Sequence, residues 1–141
     1  MDSLLPLVTV LMPVYNGERY LSSAIESILN QTFQDFELLI VDDCSNDNSI
    51  KIIESFSNKK INLIRNNKNQ GQSATMNRGL KLSKGKFIAR LDQDDLSDYQ
   101  RLEKQVEFFL NNKCNILGTW AYSINNDSKI TGYIQHPITN N

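Results

Sequence analysis

The stretch that decides the fold is Lys86-Phe-Ile-Ala-Arg-Leu-Asp-Gln-Asp-Asp95. Its first six residues form an apolar, strand-like run that ends in three carboxylates within four positions. Like charges this close raise one another's pKa or demand a shared cation. A second run, Phe36-Glu-Leu-Leu-Ile-Val41, ends in the same way, at Asp42-Asp43. Two acidic strand exits in a short chain predict a site for a divalent ion and a phosphorylated ligand.

Outward from these runs, strand and helix signals alternate. Leu7-Val-Thr-Val-Leu-Met12 is a β-rich run closed by Pro13. From about Glu18 to Gln31, residues Leu21, Ala24, Ile25, Ile28 and Leu29 form one helical stripe. Asp47 is placed to cap a helix carrying Ile50, Ile53 and Phe56. Ile61–Ile64 predicts a third strand, Asn66–Gly71 a polar loop, and about Gln72–Leu82 a third helix. Ser97-Asp-Tyr-Gln100 matches a capping box before a helix with Leu102, Val106, Phe109 and Leu110. Asn115–Tyr122 predicts strand five, and Asn125–Ser128 a hairpin turn into Ile130–Ile134. His136, beside Pro137, reads as loop.

Repeated strand–helix–strand units predict an α/β fold with a mainly parallel sheet and helices on both faces. Ligands of such sheets lie outside the carboxyl ends of the strands. The unusual clusters fall at that edge: Pro13–Glu18, Asp42-Asp43, Asn66–Gly71 and Asp92–Asp95.

Composition excludes several classes. With 141 residues, 40% apolar, the chain suits one soluble domain. Net charge is −1 with scattered basic residues, which gives no case for nucleic acid or an anionic membrane surface. Cys44 and Cys114 have no metal-ligand spacing and fit free thiols in a reducing compartment. The apolar Leu4–Val14 run lacks a basic flank and reads as a strand rather than a signal peptide. No stretch approaches the ~18 apolar residues of a membrane span.

The acidic clusters offer hard oxygen ligands, which suit Mg²⁺ or Mn²⁺ rather than zinc or copper. Asp94 is the expected direct ligand, with Asp92 beside it, and water and phosphate oxygens complete the shell. No Gly-x-x-x-x-Gly-Lys-Ser/Thr or Gly-x-Gly-x-x-Gly loop is present to hold the phosphates. Gly71 permits close approach of the chain to a ligand at the third helix, or serves as a plain helix-entry turn. Tyr15 and Asn16, with main-chain groups beside them, are placed to meet a base, and Asp42 or Asp43 to accept from its N–H. The alternative for Tyr15 is a half-buried aromatic at the sheet edge. Asn77 could reach a sugar or phosphate, whereas Arg78 reads as a solvated helix residue.

These residues resemble family 2 glycosyltransferases of the GT-A fold. The resemblance is carried by Val8–Asn16, by Ser27-Ile-Leu-Asn-Gln-Thr-Phe33, and by Glu37–Asp43 with Ser45 and Asp47. It continues in Asn69-Gln-Gly71 with Asn77 and Gly79-Leu80, in Gly85–Asp95 as the strand leading into an Asp-x-Asp motif, and in Arg101-Leu-Glu-Lys-Gln105. It covers about residues 7–120 of a single GT-A-like domain over 1–141.

The resemblance implies transfer of a sugar from a nucleotide donor, commonly a UDP-sugar, to a hydroxyl of a saccharide or lipid-linked acceptor. It implies inversion at the anomeric centre and dependence on Mn²⁺ or Mg²⁺. By position Pro13, Val14, Tyr15, Asn16, Asp42, Asp43 and Gly71 would meet the nucleotide-sugar, Glu18 and Asn77 would line the same pocket, Asp92 would face ribose or metal, and Asp94 would bind the metal. It implies polysaccharide biosynthesis in the cytoplasm, with the full-length protein peripheral at the inner face of the membrane. The family's catalytic base lies beyond the matched part, and after Tyr122 the only carboxylate side chain is Asp127. The chain is therefore expected to be the donor-binding half of a longer enzyme. A nucleotide-sugar-binding module without catalysis and a nucleotidyltransferase are the rival readings. The second usually needs a Gly-rich, basic loop after strand one, where Tyr15–Tyr20 supplies only Gly17 and Arg19.

Overall fold

The computed structural model describes residues 5–135. His136 and the chain end after it lie outside the described residues. The chain divides into two compact units, Met1–Lys104 and Gln105–Asn141.

The first unit is built on four strands: β1 (Val8–Val14), β2 (Phe36–Asp42), β3 (Ile61–Arg65) and β4 (Phe87–Arg90). All pair in parallel, in the order β3-β2-β1-β4. β1 and β2 are buried at every position. That is why they read as continuous apolar runs and not as alternating ones. Helices α1 (Leu21–Leu29), α2 (Ser49–Ser55) and α3 (Gln72–Leu82) connect the strands. The β1-to-β2 and β2-to-β3 crossovers run one way across the sheet, and the β3-to-β4 crossover returns the other way. With right-handed connections, α1 and α2 cover one face and α3 the other. On the α3 face, Leu11, Leu39 and Val41 form a buried cluster against which Ile64 and Met76 pack.

A buried polar knot secures the amino-terminal ends of the strands. Thr9 Oγ1 donates to Glu37 Oε1 at 2.7 Å and accepts the Gly85 N–H at 2.8 Å. Glu37 also accepts from the Lys84 N–H and from Asn62 Nδ2, both at 2.9 Å. A carboxylate inside the sheet is tolerable because its lone pairs are met.

Two expected features at the carboxyl side of this unit form differently. Helix α1 begins at Leu21, after a turn in which the Gly17 C=O accepts the N–H groups of Tyr20 and Leu21. The Ser97 capping box does not form. Helix α4 (Arg101–Asn111) starts later, the Ser97 N–H donates to Ser27 Oγ, and Gln31 Nε2 donates to Ser97 Oγ at 3.3 Å. Asp98 instead accepts the Gln100 N–H at 3.0 Å. Buried Ser97 is held by tertiary partners that outcompete a local cap.

The second unit carries the last turns of α4 and an antiparallel hairpin, β5 (Ala121–Ile124) and β6 (Ile130–Ile134). The turn falls where Asn125–Ser128 predicts it, with the Ser128 N–H donating to the Asn125 C=O at 2.9 Å. The strand expected over Asn115–Tyr122 is displaced. Residues 115–120 have no strand pairing, and β5 begins only at Ala121, where the hairpin partner begins to supply hydrogen bonds.

Candidate functional site

The chain runs outward from β1 through β2 to β3 and then returns past β1 to β4, so the topological switch lies between β1 and β4, and in such sheets a crevice opens there. A crevice of about 370 Å³ lies there, lined by Pro13, Val14, Tyr15, Asp43, Asn69, Gly71, Gln72, Thr75, Asp92, Gln93 and Asp94. Its walls are the exits of β1, β2 and β4 and the first turn of α3.

Strand parity explains why Pro13 belongs here. Odd-numbered residues near β1 face β4: the Leu7 C=O accepts from Phe87 N–H at 3.0 Å, and the Leu11 C=O from Leu91 N–H at 3.2 Å. Pro13 faces the same way, but the β1–β4 register ends at Leu11↔Arg90. A missing N–H in a central strand therefore costs no ladder bond, and the Pro13 C=O faces the crevice.

The β1 and β2 exits are laced together by side chains. The Asn16 N–H donates to Ser45 Oγ at 3.0 Å, and Asn16 Oδ1 accepts the Asn46 N–H at 2.9 Å. Asn16 sits at φ 51°, a left-handed conformation that Asn tolerates better than most residues. The Gly17 N–H donates to Ser49 Oγ, the Glu18 N–H to Asp47 Oδ2, and Asn48 to Glu18 Oε2. Asp47 also accepts the Ser49 N–H at the entry to α2. Burial pushes the Asp47 carboxyl up, but bonds from Ser49 and Glu18 outweigh it and hold the group below its ordinary value.

Asp42, the last residue of β2, and Asp43, just after it, meet different partners. Asp42 is fully buried, accepts the Ser45 N–H on both oxygens, and lies 4.0 Å from Arg65 Nε. It does not line the crevice. Asp43 is a crevice wall and the organiser of the Asn66–Gly71 loop. Its Oδ1 accepts from Asn66 Nδ2 at 2.6 Å and from the Gln70 N–H at 2.9 Å, and its Oδ2 accepts the Gly71 N–H at 2.8 Å. Burial raises its pKa, yet the bonds from Asn66, Gln70, Thr75 and Gly71 together hold it below the usual carboxylate value. Gly71, at φ 86°, adopts a conformation open to glycine as it delivers that N–H and enters α3.

The β4 exit is electrostatically different. Asp92 makes a two-pronged ion pair with Arg90, at 3.0 and 2.9 Å. The two side chains are 56% and 32% exposed, so solvent screens the pair. Among the described residues, Asp94 has no hydrogen bond or ion pair and is exposed. Burial pushes the Asp95 carboxyl up, and the charges of Asp94 and Asp92 push it further, against Arg101 and Arg90. Arg90 and Arg101 offset this repulsion only in part, since the Asp95 carboxyl stays raised and Asp94 has no partner among the described residues. No group of three or more His, Cys, Asp or Glu among the described residues encloses a cation. The donor set fits an ion held by one or two aspartates and shared with phosphate oxygens, which is the habit of Mg²⁺ and related hard ions.

The structure thus brings Pro13, Val14, Tyr15, Asp43, Gly71, Asp92 and Asp94 around one crevice. Asn16 and Glu18 act in the loop lacing instead. Asn77 lies in a neighbouring depression beside Arg90, and Arg78 donates to the Arg65 C=O and to Asn66 Oδ1. Asn69, Gln72, Thr75 and Gln93 are wall residues that were not among the expected ones. The polar position Gln93 inside the acidic tetrad was the available signal.

Comparison with known proteins follows the same lines. The family model for glycosyl transferase family 2 matches residues 9–140, and the chain belongs to that family. It is 39% identical over 132 residues to the Escherichia coli UDP-Glc:alpha-D-GlcNAc-diphosphoundecaprenol beta-1,3-glucosyltransferase WfgD, covering 93% of this chain and 51% of the relative. It is 41% identical over 130 residues to an uncharacterized glycosyltransferase of Methanocaldococcus jannaschii, covering 89% and 45%. Among solved structures, S. aureus TarS 1-349 in complex with UDP-GlcNAc superposes with a TM-score of 0.71 at 30% identity, over 74% of this chain and 31% of that 1-349 chain. The Pyrobaculum calidifontis mannosyltransferase PcManGT, in complex with GDP-Man and Mn2+, gives 0.67 at 22% identity, over 74% and 32%, a likeness of fold. The fold is GT-A, an α/β sandwich with a mainly parallel central sheet. The chain spans about half the length of the curated relatives it matches.

Proposed function

We propose that this chain is the donor-binding portion of a glycosyltransferase that moves a sugar from a UDP-sugar to an acceptor hydroxyl, with inversion and with Mn²⁺ or Mg²⁺. The observation that carries the reading is the unpartnered Asp94 carboxylate, flanked by Asp92, on the wall of the same crevice as Tyr15 and the Pro13 C=O. Relatives whose names specify a UDP-glucose donor, and a structural neighbour bound to UDP-GlcNAc, support the donor class.

In this reading Tyr15, 45% exposed, lies against the base. The Pro13 C=O meets the base edge, since the Tyr15 N–H and C=O are engaged by Gln93. Asp43 acts by shaping the wall, because its oxygens are already engaged by the loop. Asp94 holds the metal, with Asp92 beside it or on the ribose. Asn16, Glu18, Asp42 and Asn77 support the pocket from outside its lining. When bound, the metal supplies Lewis-acid stabilisation of the departing diphosphate. The base that deprotonates the acceptor belongs to a region beyond this chain, which forms part of one GT-A-like domain. The acceptor is a saccharide or a lipid-linked sugar, as in the WfgD relative's name, and the whole protein works in the cytoplasm at the inner membrane face, in polysaccharide biosynthesis. No helix among the described residues is long and apolar enough to cross a membrane.

Titration calorimetry with UDP, with and without Mn²⁺, tests the proposal on this chain and on Asp94→Ala. Mn²⁺ should strengthen UDP binding in the unaltered chain and not in the variant. Binding that ignores both the metal and the substitution would refute it.

A further inference from the structure

Gln93 lies between the two aspartates assigned to the metal, yet its side chain turns away from them to the β1 exit. The Tyr15 N–H donates to Gln93 Oε1 at 2.8 Å, and Gln93 Nε2 donates to the Tyr15 C=O at 3.1 Å. Tyr15 continues the odd-numbered row of β1 that faces β4. The strand itself stops at Arg90, before it can reach Tyr15. The Gln93 carboxamide therefore stands in for a peptide group of β4 and carries the ladder across the mouth of the crevice. Only a side chain with an acceptor and a donor at this reach can serve both groups. Asn is one methylene shorter, Glu cannot donate when ionised, and Leu keeps the shape without the bonds.

The chain also leaves room for this amide. A Cβ at Gly17 would stand 2.6 Å from Gln93 Oε1 and 2.8 Å from its Cδ. Alanine at that position would push the carboxamide off Tyr15 without touching any carboxylate.

We propose that Gln93 is a positioning residue that couples the two walls of the crevice, so that a cation held at Asp92 and Asp94 sets the backbone of Tyr15 for the nucleotide. The proposal rests on the nucleotide-sugar reading above. Any shift of Asp92 or Asp94 on meeting an ion is passed through one peptide on either side to Gln93, and from its amide to Tyr15. By linkage the nucleotide must favour the ion by the same factor.

The test uses this chain, Gln93→Leu and Gly17→Ala. UDP binding is measured calorimetrically with and without saturating Mn²⁺, and exchange of the Tyr15 amide proton is followed by NMR. In the unaltered chain Mn²⁺ should tighten UDP on the order of tenfold, within the usual range of coupling between sites. In both variants that ratio should fall to about twofold or less, and the Tyr15 amide should exchange faster, because its acceptor is lost or displaced. If the Tyr15 amide is freed in either variant while the Mn²⁺ effect on UDP stays at its original size, Gln93 does not couple the walls and the proposal is overturned. If the unaltered chain binds no UDP at all, the nucleotide reading fails and takes this proposal with it.

Discussion

Asp43→Asn separates the architectural role of this carboxylate from ligand chemistry. Asp43 is 3% exposed and accepts at 2.6 Å from Asn66 Nδ2, at 2.9 Å from the Gln70 N–H and at 2.8 Å from the Gly71 N–H. An asparagine keeps one carbonyl oxygen, so only one side of the donor set retains an acceptor. Its NH₂ then faces donors on the other side. Losing charge-assisted bonds of about 1.5–3 kcal/mol each, partly relieved by loop relaxation, gives an expected loss of about 3 kcal/mol at pH 7.

The pH dependence sharpens this expectation. Burial acts to raise the Asp43 pKa, but its hydrogen bonds win and the folded value lies below the ordinary 3.8. For a carboxyl depressed in the folded state, the stabilisation is fully present above the unfolded pKa. It is lost as pH falls through the folded one. The gap between the two proteins should therefore be constant from neutral pH down to about pH 5 and should narrow below pH 3.8. Shared acidic groups contribute to both curves and cancel in the difference. Urea unfolding followed by circular dichroism at a series of pH values measures it. An asparagine variant within about 0.5 kcal/mol of the parent at pH 7, or a gap that widens in acid, would refute the reasoning.

Asp94→Asn should leave urea stability within about 0.5 kcal/mol, since exposed Asp94 has no partner among the described residues. In carbon-detected NMR titration the Asp95 carboxyl should then titrate at lower pH, because one of the two like charges raising it is gone. Gly79→Ala should destabilise by up to about 2 kcal/mol, as judged by the urea midpoint. An added Cβ would lie 2.3 Å from Leu11 Cδ1, and overpacking of about 1–3 kcal/mol outweighs the roughly 1 kcal/mol gain in helix propensity.

The sheet was legible because its signals are strong and local. β1 and β2 are apolar at nearly every position, and the α1 stripe at Leu21, Ala24, Ile25 and Ile28 is buried as its period predicts. Features with non-local partners were less legible. Ser97 looks like a cap in its own neighbourhood, but Ser27 and Gln31 claim it from some seventy residues away. The apolar residues Ile116 and Trp120 suggested a strand, yet strand pairing starts only at Ala121 and Ile116 is 90% exposed. Asp42 and Asp43 read as one pair, although Asp42 closes β2 toward Ser45 and Arg65 while Asp43 organises the Asn66–Gly71 loop. Gln93 escaped notice because its partners are the main chain of Tyr15, 78 positions away.

The two acidic strand exits, alike in sequence, have opposite physical fates. Asp43 is met by a full set of donors, so its charge is stabilised within the fold and its removal should be felt as lost stability. Asp94 receives none, and the carboxylates beside it add repulsion, most plainly in the raised Asp95. A chain selected for stability alone gains nothing from that arrangement, since a single hydrogen-bond donor or an uncharged residue would relieve it. In the proposed reading, a divalent ion bound to a diphosphate supplies that relief, in the form these oxygens favour. If the proposal holds, arrival of the ligand at Asp94, beside Tyr15 and with Gln93 spanning the gap, is the event that settles both walls. The Asp43 and Asp94 substitutions should therefore divide cleanly, one moving the urea midpoint and the other the metal dependence of binding.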